Sequence, residues 1–417
     1  MKRLLSFPLI LLLNSVYAQV SLDSCINMAF GHFKYEEESR AYLASSELAE
    51  ENAQMNWYPQ LMLDGNFTYQ NENLSIPISV PGFEAPTVPL NFNRLLVQFS
   101  QTIYDGSMTS HQKKLEQSKY RLMEGKLEVE KIQLKSKVIT LYISLLLIDD
   151  QTAIITSKIN NINQRMEVLK RASEFGAAAE VNLISLEAKL LTIDQQIVEI
   201  QQNKKALLRT FGQMCGVEMT DETDFIYPEI ILSTDNNVNR RPEISLLHSQ
   251  IENYELQKDF QGTKRLPTIN AFGSFGAGLP GYDIFNDAVR PMGLIGIGLK
   301  WRLWDWGKIR NEMQLLGLQQ QIVQSQEVRI RTQLLGELVS QEEEINKYNT
   351  LLKSDDHMIA LRNRVSTIKA AELENGTITA TDYITELDQE EEACLNQKIH
   401  ELKLLLAKLN YQTLQGN

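Results

Sequence analysis

The sequence is poor in the residues that usually build disulfide frameworks and metal sites. It contains three cysteines in 417 residues, Cys25, Cys215 and Cys394, which are widely separated and include no Cys-x-x-Cys pair. An odd number of scattered cysteines argues against a disulfide framework and against a structural zinc site. The histidines lie in different segments without the spacing of metal ligands: His32, His111, His248, His357 and His400. We therefore predict no metal site, no cofactor, no catalytic residue and no enzymatic activity.

Positive charge and long apolar runs are also scarce. The chain has 41 Lys and Arg against 53 Asp and Glu, a net charge of −12. Because proteins bind nucleic acids largely by neutralising phosphates with cations, this balance argues against a nucleic-acid partner. Beyond the N-terminus no run reaches about 18 apolar residues, the length that predicts a membrane-spanning helix. If the mature protein crosses a membrane, it is therefore expected to use β-strands.

The N-terminus has the pattern of a secretory signal peptide. Lys2 and Arg3 precede an apolar run over residues 4–13, and a small-residue cleavage site ends at Ala18. The run is too short for a membrane anchor, which needs about 20 apolar residues. We therefore predict that residues 1–18 are a signal peptide and that the protein is exported.

Long stretches without glycine or proline carry apolar residues at alternating spacings of three and four, which is typical of coiled-coil helices. Residues 107–173 would form a helix about 100 Å long. Gly176 can take the positive φ that ends a helix, so the seams on either side of it predict an antiparallel helical hairpin. The two seams comprise Leu134, Val138, Leu141, Leu145, Ile148, Ile155, Ile159, Ile162, Met166 and Leu169, and then Leu183, Leu186, Leu190, Ile193, Ile197, Ile200, Leu207 and Phe211.

The same order of patterns occurs twice along the chain, with an offset of 200 residues between Gly176 and Gly376 and between Asp105 and Asp305. This offset favours an internal duplication. We predict a first repeat over 19–212, with a strand pair in 58–104 and a hairpin tip near 176. The second repeat is predicted over 243–411, with a strand pair in 265–304 and a tip near 376. Residues 213–242 are predicted to form an irregular bridge and 412–417 a C-terminal tail.

Ahead of each helical hairpin, two segments alternate apolar and polar residues with period two, which predicts β-strands. Each run has about ten residues, the length a tilted strand needs to cross a bilayer. Aromatic residues cluster near the strand ends, as they do at membrane interfaces. The apolar positions are Leu61, Leu63, Gly65, Phe67, Tyr69, Leu95, Val97, Phe99, Ile103, Ile269, Ala271, Gly273, Phe275, Ile295, Ile297, Leu299, Trp301 and Leu303.

Four strands cannot close a barrel, and an open sheet edge in lipid leaves backbone groups without hydrogen-bond partners. Three copies of the chain would supply twelve strands and two copies eight. Only the larger barrel leaves an open lumen through which substrates can pass. The residues expected to face a wet lumen are small or polar: Asn66, Thr68, Ser100, Thr102, Gly296 and Gly298. A soluble β-sandwich rim on a coiled-coil protein would show the same alternation and is the alternative.

Several short motifs follow one another in an order that resembles the TolC-like outer membrane efflux family over essentially the whole mature length. The motifs are Trp57-Tyr58-Pro59-Gln60-Leu61, Tyr104-Asp105-Gly106, Arg241-Pro242-Glu243, Trp304-Asp305-Trp306-Gly307 and the glycines of the two hairpins. The resemblance implies a mixed α and β membrane protein that forms a homotrimer. Each copy would give four strands to a twelve-stranded outer membrane β-barrel, and long coiled-coil helices would form an α-barrel across the periplasm.

In the turn that connects the second strand of each pair to the following helix, Asp105 and Asp305 can cap the helix N-terminus, and Gly106 and Gly307 permit a sharp turn. The resemblance also implies that the hairpin tips dock on a periplasmic adaptor protein. The tip residues are Gly176, Ala177, Gly376 and Thr377. The alternative is that these glycines only make tight turns.

The resemblance further implies a periplasmic constriction formed by a ring of acids at Asp382. The family's next ring aspartate is replaced here by Thr385, with Glu386 beside it. Three Asp382 carboxylates around one axis would favour cations, and their mutual repulsion would make the site pH-dependent. Asn182 is the equivalent residue of the first hairpin and would contribute no charge. The alternative is that Asp382 is an ordinary solvated acid in a helix first turn.

The function predicted from the sequence is an outer membrane channel in a tripartite efflux or type I secretion system. The channel would be a passive conduit, in contact with outer membrane lipid, for substrates delivered by an inner-membrane transporter and a periplasmic adaptor. The alternative function is a non-channel coiled-coil structural protein of the cell envelope. The cargo is left open, since drugs, metal ions and polypeptides all pass through relatives of this architecture.

Overall fold

The computed structural model describes residues 20–72, 82, 88–175, 179–231 and 238–416. The predicted signal peptide and the tip residues Gly176 and Ala177 lie outside this range. Within it the chain is mostly helical, with one antiparallel sheet of four strands. The elements are α1 (Leu22–His32), α2 (Tyr35–Gln54), β1 (Gln60–Tyr69), β2 (Asn91–Tyr104), α3 (Met108–Glu174), α4 (Glu180–Cys215), α5 (Pro242–Thr263), β3 (Thr268–Leu279), β4 (Arg290–Lys300), α6 (Lys308–Glu374) and α7 (Ala380–Leu414).

From α2 in the first half and from α5 in the second, the elements follow the same order: helix, two strands, long helix, shorter helix. The two long helices, α3 and α6, each have 67 residues, and their bounds are offset by the predicted 200 positions. The long uninterrupted helices predicted by the three-and-four spacing are therefore present.

By internal contacts the chain divides into two compact units. The sheet unit comprises Glu37–Lys126 and Glu243–Arg329, and it contains all four strands. The helical unit comprises Met1–Glu36, Leu127–Pro242 and Ile330–Asn417. Each unit draws segments from both sequence halves, because hairpins from the two halves pack together within it.

The helical unit has an apolar core made by two helical hairpins, and the core uses the predicted seams. Ile162 and Leu169 of α3 are buried against Leu186 and Ile193 of α4, as the hairpin prediction requires. Burying such side chains contributes about 2 kcal/mol each to stability. The second hairpin joins the same cluster through Ala370, Leu373, Ala380, Tyr383 and Leu387.

By length and hydropathy alone, α3 is the one helix in the described ranges with a stretch apolar enough to cross a membrane, and 44% of that stretch is buried. The deepest side chains of this helix are core residues of the helical unit. Tyr142, for example, packs edge-on against Phe225, and its hydroxyl lies 2.8 and 2.6 Å from the backbone oxygens of Val20 and Ile226, which share its one proton. Core packing accounts for the apolar character of this part of α3.

The helix ends differ slightly from the predicted boundaries. The helix α7 continues into the predicted tail as far as Leu414, because Thr413 and Leu414 are buried. Arg241, from the motif after the bridge, is itself buried and donates a hydrogen bond of 2.8 Å to the backbone oxygen of Thr413. That carbonyl lies in the last turn of α7 and also accepts from the backbone N–H of Gly416 at 3.1 Å, so the arginine adds a second hydrogen bond at the helix end.

Candidate functional site

The register of the sheet places the predicted apolar residues of all four strands on one face. Partners lie side by side across the strands, as in the row of Leu61, Phe99, Gly273 and Ile295. This face is exposed in the chain: Ile295 and Ile297 each keep 74% of their accessible surface. A continuous exposed apolar face of this kind is typical of a surface that contacts lipid or another protein.

The opposite face carries the predicted polar set. In one row Asn66 lies beside Arg94. In another row, further along the sheet, Thr102 lies beside Asn270, and Asn270 lies beside Gly298. The small residues also have a local packing reason that the sequence did not show. A Cβ atom on Gly296 would lie 2.8 Å from the ring of Phe272, so that ring needs a glycine beside it.

One predicted apolar position does not follow the alternation. The pairing of β2 with β3 shifts between Thr102 and Tyr104, so Tyr104, rather than Ile103, is the partner of Ile269. A β-bulge inserts one unpaired residue and reverses the direction of the side chains that follow. Ile103 has no register partner at this bulge, which the period-two pattern does not predict.

Both edges of the sheet lack a partner strand in the described structure. The strand order is β1-β2-β3-β4, so β1 and β4 each pair on one side only. An edge strand presents a row of backbone N–H and C=O groups that can pair with another chain. The sheet is thus open at both ends and apolar on one face.

The turns between sheet and long helices are built around an aspartate and a glycine in both halves. Asp305 accepts hydrogen bonds of 2.9 Å from the backbone N–H groups of Gly307 and Ile309, and these bonds hold its pKa below the usual range. Asp105 accepts one of 2.7 Å from the N–H of Thr109. These carboxylates satisfy donors that the first turn of a helix leaves free.

The glycines of the two turns have the positive φ that an L side chain rarely adopts, +65° at Gly106 and +81° at Gly307. A Cβ atom on Gly106 would also lie 2.7 Å from the Cβ of Leu266. Conformation and close packing therefore both require glycine at position 106.

Aromatic side chains gather at this end of the sheet. Trp304 and Trp306 are 73% and 87% exposed and pack edge to face with ring centroids 5.8 Å apart. Trp301 is also exposed and donates a hydrogen bond of 3.0 Å to the backbone oxygen of Arg265. Exposed tryptophans next to an apolar sheet face are typical of the boundary between lipid and water.

The tip of the second hairpin is a tight, well-defined turn. Gly376 has φ +71°, its N–H donates to the carbonyl of Leu373 at 3.0 Å, and the N–H of Thr377 donates to that of Glu372 at 2.9 Å. This pair of bonds is a Schellman motif, which ends α6. No atom lies within 4 Å of where a Cβ on Gly376 would be, so the tip is open to contact.

Asp382 begins α7 as part of a capping box. The Oγ1 of Thr379 accepts from the N–H of Asp382 at 3.3 Å, and the Asp382 carboxylate accepts from the N–H and hydroxyl of Thr379 at 3.0 and 2.7 Å. Asp382 is fully exposed. The bond from the Thr379 hydroxyl is the main cause that lowers its pKa, and the bond from the Thr379 N–H adds to this effect. Helix capping alone is thus a sufficient reason for an acid here, and its role in a ring stays a prediction.

The other two predicted constriction residues differ from each other. Thr385 is exposed, one turn from Asp382, and its hydroxyl donates to the backbone oxygen of Thr381 at 2.8 Å. Glu386 is buried and lies 3.4 Å from the guanidinium of Arg362 on α6. Within the chain, Asp382 and Thr385 therefore share an exposed face, whereas the charge of Glu386 is paired.

Sequence reasoning missed a group of charges that joins both hairpins of the helical unit. Lys158 of α3 is 5% exposed and contacts Asp388 at 2.5 Å as well as Glu391, both on α7. Lys189 of α4 lies 2.8 Å from Asp388. The partners are about 200 residues apart in sequence, so only their clustering in space reveals the network. In the described ranges, no group of three or more metal-ligating side chains occurs.

The tertiary arrangement can be compared with solved structures. The outer membrane protein VceC from Vibrio cholerae matches with a TM-score of 0.72 and 13% identity, covering 95% of this chain and 96% of VceC. The CmeC outer membrane channel of Campylobacter jejuni matches with a TM-score of 0.70 and 13% identity, over 95% and 85% of the two chains. The open state of the MtrE outer membrane channel of Neisseria gonorrhoeae gives a TM-score of 0.70 and 10% identity, over 95% and 89%.

The chain therefore has the fold of the TolC-like outer membrane channels, along nearly its whole length. The sequence-based recognition of this fold is confirmed. No protein-family model and no curated protein sequence matches the chain significantly.

Proposed function

We propose that this protein is an outer membrane channel subunit that works as a homotrimer, located in the outer membrane and extending into the periplasm. Three sheets would join edge to edge into a twelve-stranded barrel, and the long helices would form the periplasmic tunnel. The observation that carries the proposal is the sheet itself, open at β1 and β4 and apolar on one exposed face.

The difference between the two faces of the sheet supports an assignment of which face would contact lipid and which would line the lumen. The apolar face that includes Ile295 and Ile297 would contact lipid, and the face that includes Asn66 and Thr102 would line the lumen. Pairing β1 of one copy with β4 of the next would satisfy both edges, as a membrane environment requires. A non-channel scaffold of the envelope gives no reason for an apolar face next to exposed tryptophans.

The proposed function includes the route by which substrates reach the channel. The channel is a passive conduit in a tripartite efflux or type I secretion system, fed by an inner-membrane transporter through a periplasmic adaptor. The adaptor would contact the hairpin tips at Gly176, Ala177, Gly376 and Thr377. The open space around Gly376 supports contact at the second tip. A photo-crosslinking residue at position 377 should capture the adaptor, and one at exposed position 119 of α3, far from the tip along that helix, serves as the control.

Two neighbouring residues of β4 provide a sharp test of the membrane assignment. Ile295 lies on the apolar face and Leu294 on the polar face, and both side chains are exposed in the chain. Arginine at a lipid-facing position near the bilayer midplane costs about 2–4 kcal/mol, whereas a lumen position tolerates it. We expect Ile295→Arg to reduce the yield of detergent-stable trimers strongly and Leu294→Arg to leave it unchanged.

The wild-type trimer should raise single-channel conductance in a planar bilayer, and Leu294→Arg should alter the ion selectivity of that conductance. If the two arginine variants assemble equally well, the lipid-facing assignment is wrong. A wild-type protein that is monomeric and soluble without detergent would favour the scaffold instead.

A further inference from the structure

Two of the three cysteines, 190 residues apart in sequence, meet in the core of the helical unit. Cys25 lies in α1 and Cys215 is the last residue of α4. Their exposed fractions are 0% and 2%, and the sulfur of Cys215 lies 3.8 Å from the backbone oxygen of Cys25. The two buried cysteines therefore lie next to each other in the core.

The backbone holds α1 firmly against the end of α4. Gly216 caps α4 with φ +71°, and a Cβ atom there would lie 2.4 Å from the ring nitrogen Nδ1 of His32, one end of α1. At the other end, Val20 forms a parallel bridge with Phe225. The contact between Cys25 and Cys215 is therefore fixed from both sides rather than made by a free terminus.

The environment also distinguishes the two thiols chemically. The hydrogen bond with Cys215, together with burial, raises the pKa of Cys25. The same hydrogen bond lowers the pKa of Cys215.

We propose that Cys25 and Cys215 form an intramolecular disulfide bond in the exported protein. This inference rests on the export that belongs to the proposed function, since disulfides persist in oxidising compartments such as the periplasm. The bond would tie the first helix of the mature chain to the helical unit.

The oxidant required is a protein disulfide of the thiol–disulfide oxidoreductase class. The Cys215 thiolate attacks one carrier sulfur, the carrier S–S bond breaks, and a mixed disulfide forms with release of one carrier thiolate. The Cys25 thiolate then attacks the Cys215 sulfur, forming the Cys25–Cys215 bond and releasing the second carrier thiolate. The two thiol protons end on the carrier, which is reduced as the cysteine pair is oxidised by two electrons.

Burial sets the order of events. A carrier protein cannot reach sulfurs that are 0% and 2% exposed, so exchange must take place before α1 packs against α4. Once the chain is folded, the bond should resist reductants unless the protein is also denatured. Cys394 of α7, which is only partly buried, has no such partner in its surroundings and provides an internal reference thiol.

The test is thiol counting on full-length protein isolated from the exporting cell. The protein is denatured without reductant, alkylated and examined by mass spectrometry. We expect one alkyl group, on Cys394, and a linked peptide pair containing Cys25 and Cys215. The mass should be about 2 Da below that of a fully reduced chain carrying the same single alkyl group. After reduction in denaturant, three alkyl groups are expected.

Variants make the assignment specific. Cys394→Ser should keep the linked pair, whereas Cys25→Ser should leave two alkylatable cysteines. Three free cysteines in the unreduced wild-type protein would overturn the inference, as would a linkage to Cys394 or to a second chain. Conductance measured on the same preparation separates the two proposals. Free cysteines in a conducting protein reject only the disulfide, while the linked pair in a non-conducting protein rejects the channel.

Discussion

The Oδ1 atom of Asn182, in the first turn of α4, accepts a hydrogen bond of 2.9 Å from the backbone N–H of Ala380, the first residue of α7. The side chain from the tip of one hairpin thus caps the helix that begins at the tip of the other. The N–H groups in the first turn of a helix have no partner within their own helix, so this bond satisfies one of them. It also links two residues that are 198 positions apart in sequence.

We expect Asn182→Ala to destabilise the helical unit by about 1 kcal/mol, because it leaves the N–H of Ala380 without its acceptor. Asn182→Asp keeps an acceptor and adds a negative charge at a helix N-terminus, so it should cost much less. Hydrogen exchange of the first turn of α7 measures both effects. Equal exchange in the wild type and in Asn182→Ala would show that the bond contributes nothing.

The buried lysine of the helical unit gives a larger expected effect. Lys158→Met leaves Glu391 without its cation and Asp388 with Lys189 alone. Because both carboxylates are partly exposed, we expect a cost of about 2 kcal/mol. Denaturant unfolding followed by circular dichroism checks the value. Lys119→Met, on the same helix, is the control, because Lys119, which pairs with Glu116, has a side chain that is 53% exposed. A cost within about 0.5 kcal/mol is expected there.

Acid should weaken the same network. Partial burial alone would raise the pKa of Asp388, but the hydrogen bonds and charges of Lys158 and Lys189 outweigh it and hold the pKa below the usual range. A lowered carboxyl pKa contributes stability that is present above the unfolded value of about 3.9 and is lost as the pH falls through the folded value. The unfolding temperature of the wild type should therefore drop more between pH 5 and about pH 2 than that of Lys158→Met. Parallel curves would contradict this.

Asp382 tests the proposed constriction. If three copies face one axis, Asp382→Ala should reduce the preference of the channel for cations over anions in bilayer recordings. The hydrogen bonds from Thr379 lower the pKa of Asp382, whereas repulsion among three carboxylates raises it. The wild-type preference should therefore be lost as the pH falls through the aspartate range. Thr379→Ala is the matched control, since it removes the cap and keeps the charge. Unchanged selectivity in Asp382→Ala, or an equal change in both variants, would argue against the ring.

The limits of sequence reasoning are clearest in the sheet and at the tips. Alternation placed most strand residues on the correct face, because side-chain direction in a strand follows from the backbone of that strand alone. It did not predict the bulge between Thr102 and Tyr104, which depends on pairing with β3 and leaves Ile103 without a register partner. The acid at position 382 could be named from its distance to Gly376, but its capping partner Thr379 could not be assigned before the helix start was known.

The sequence by itself determined the helices, the strands, their order and the apolar face of each, since these follow from local periodicity and from glycines at turns. Only the tertiary structure decided which distant residues meet. Cys25 reaches Cys215, Lys158 reaches Asp388 and Asn182 reaches Ala380 because packed hairpins bring them together. No spacing along the chain encodes such contacts, since they depend on how whole helices lie against one another.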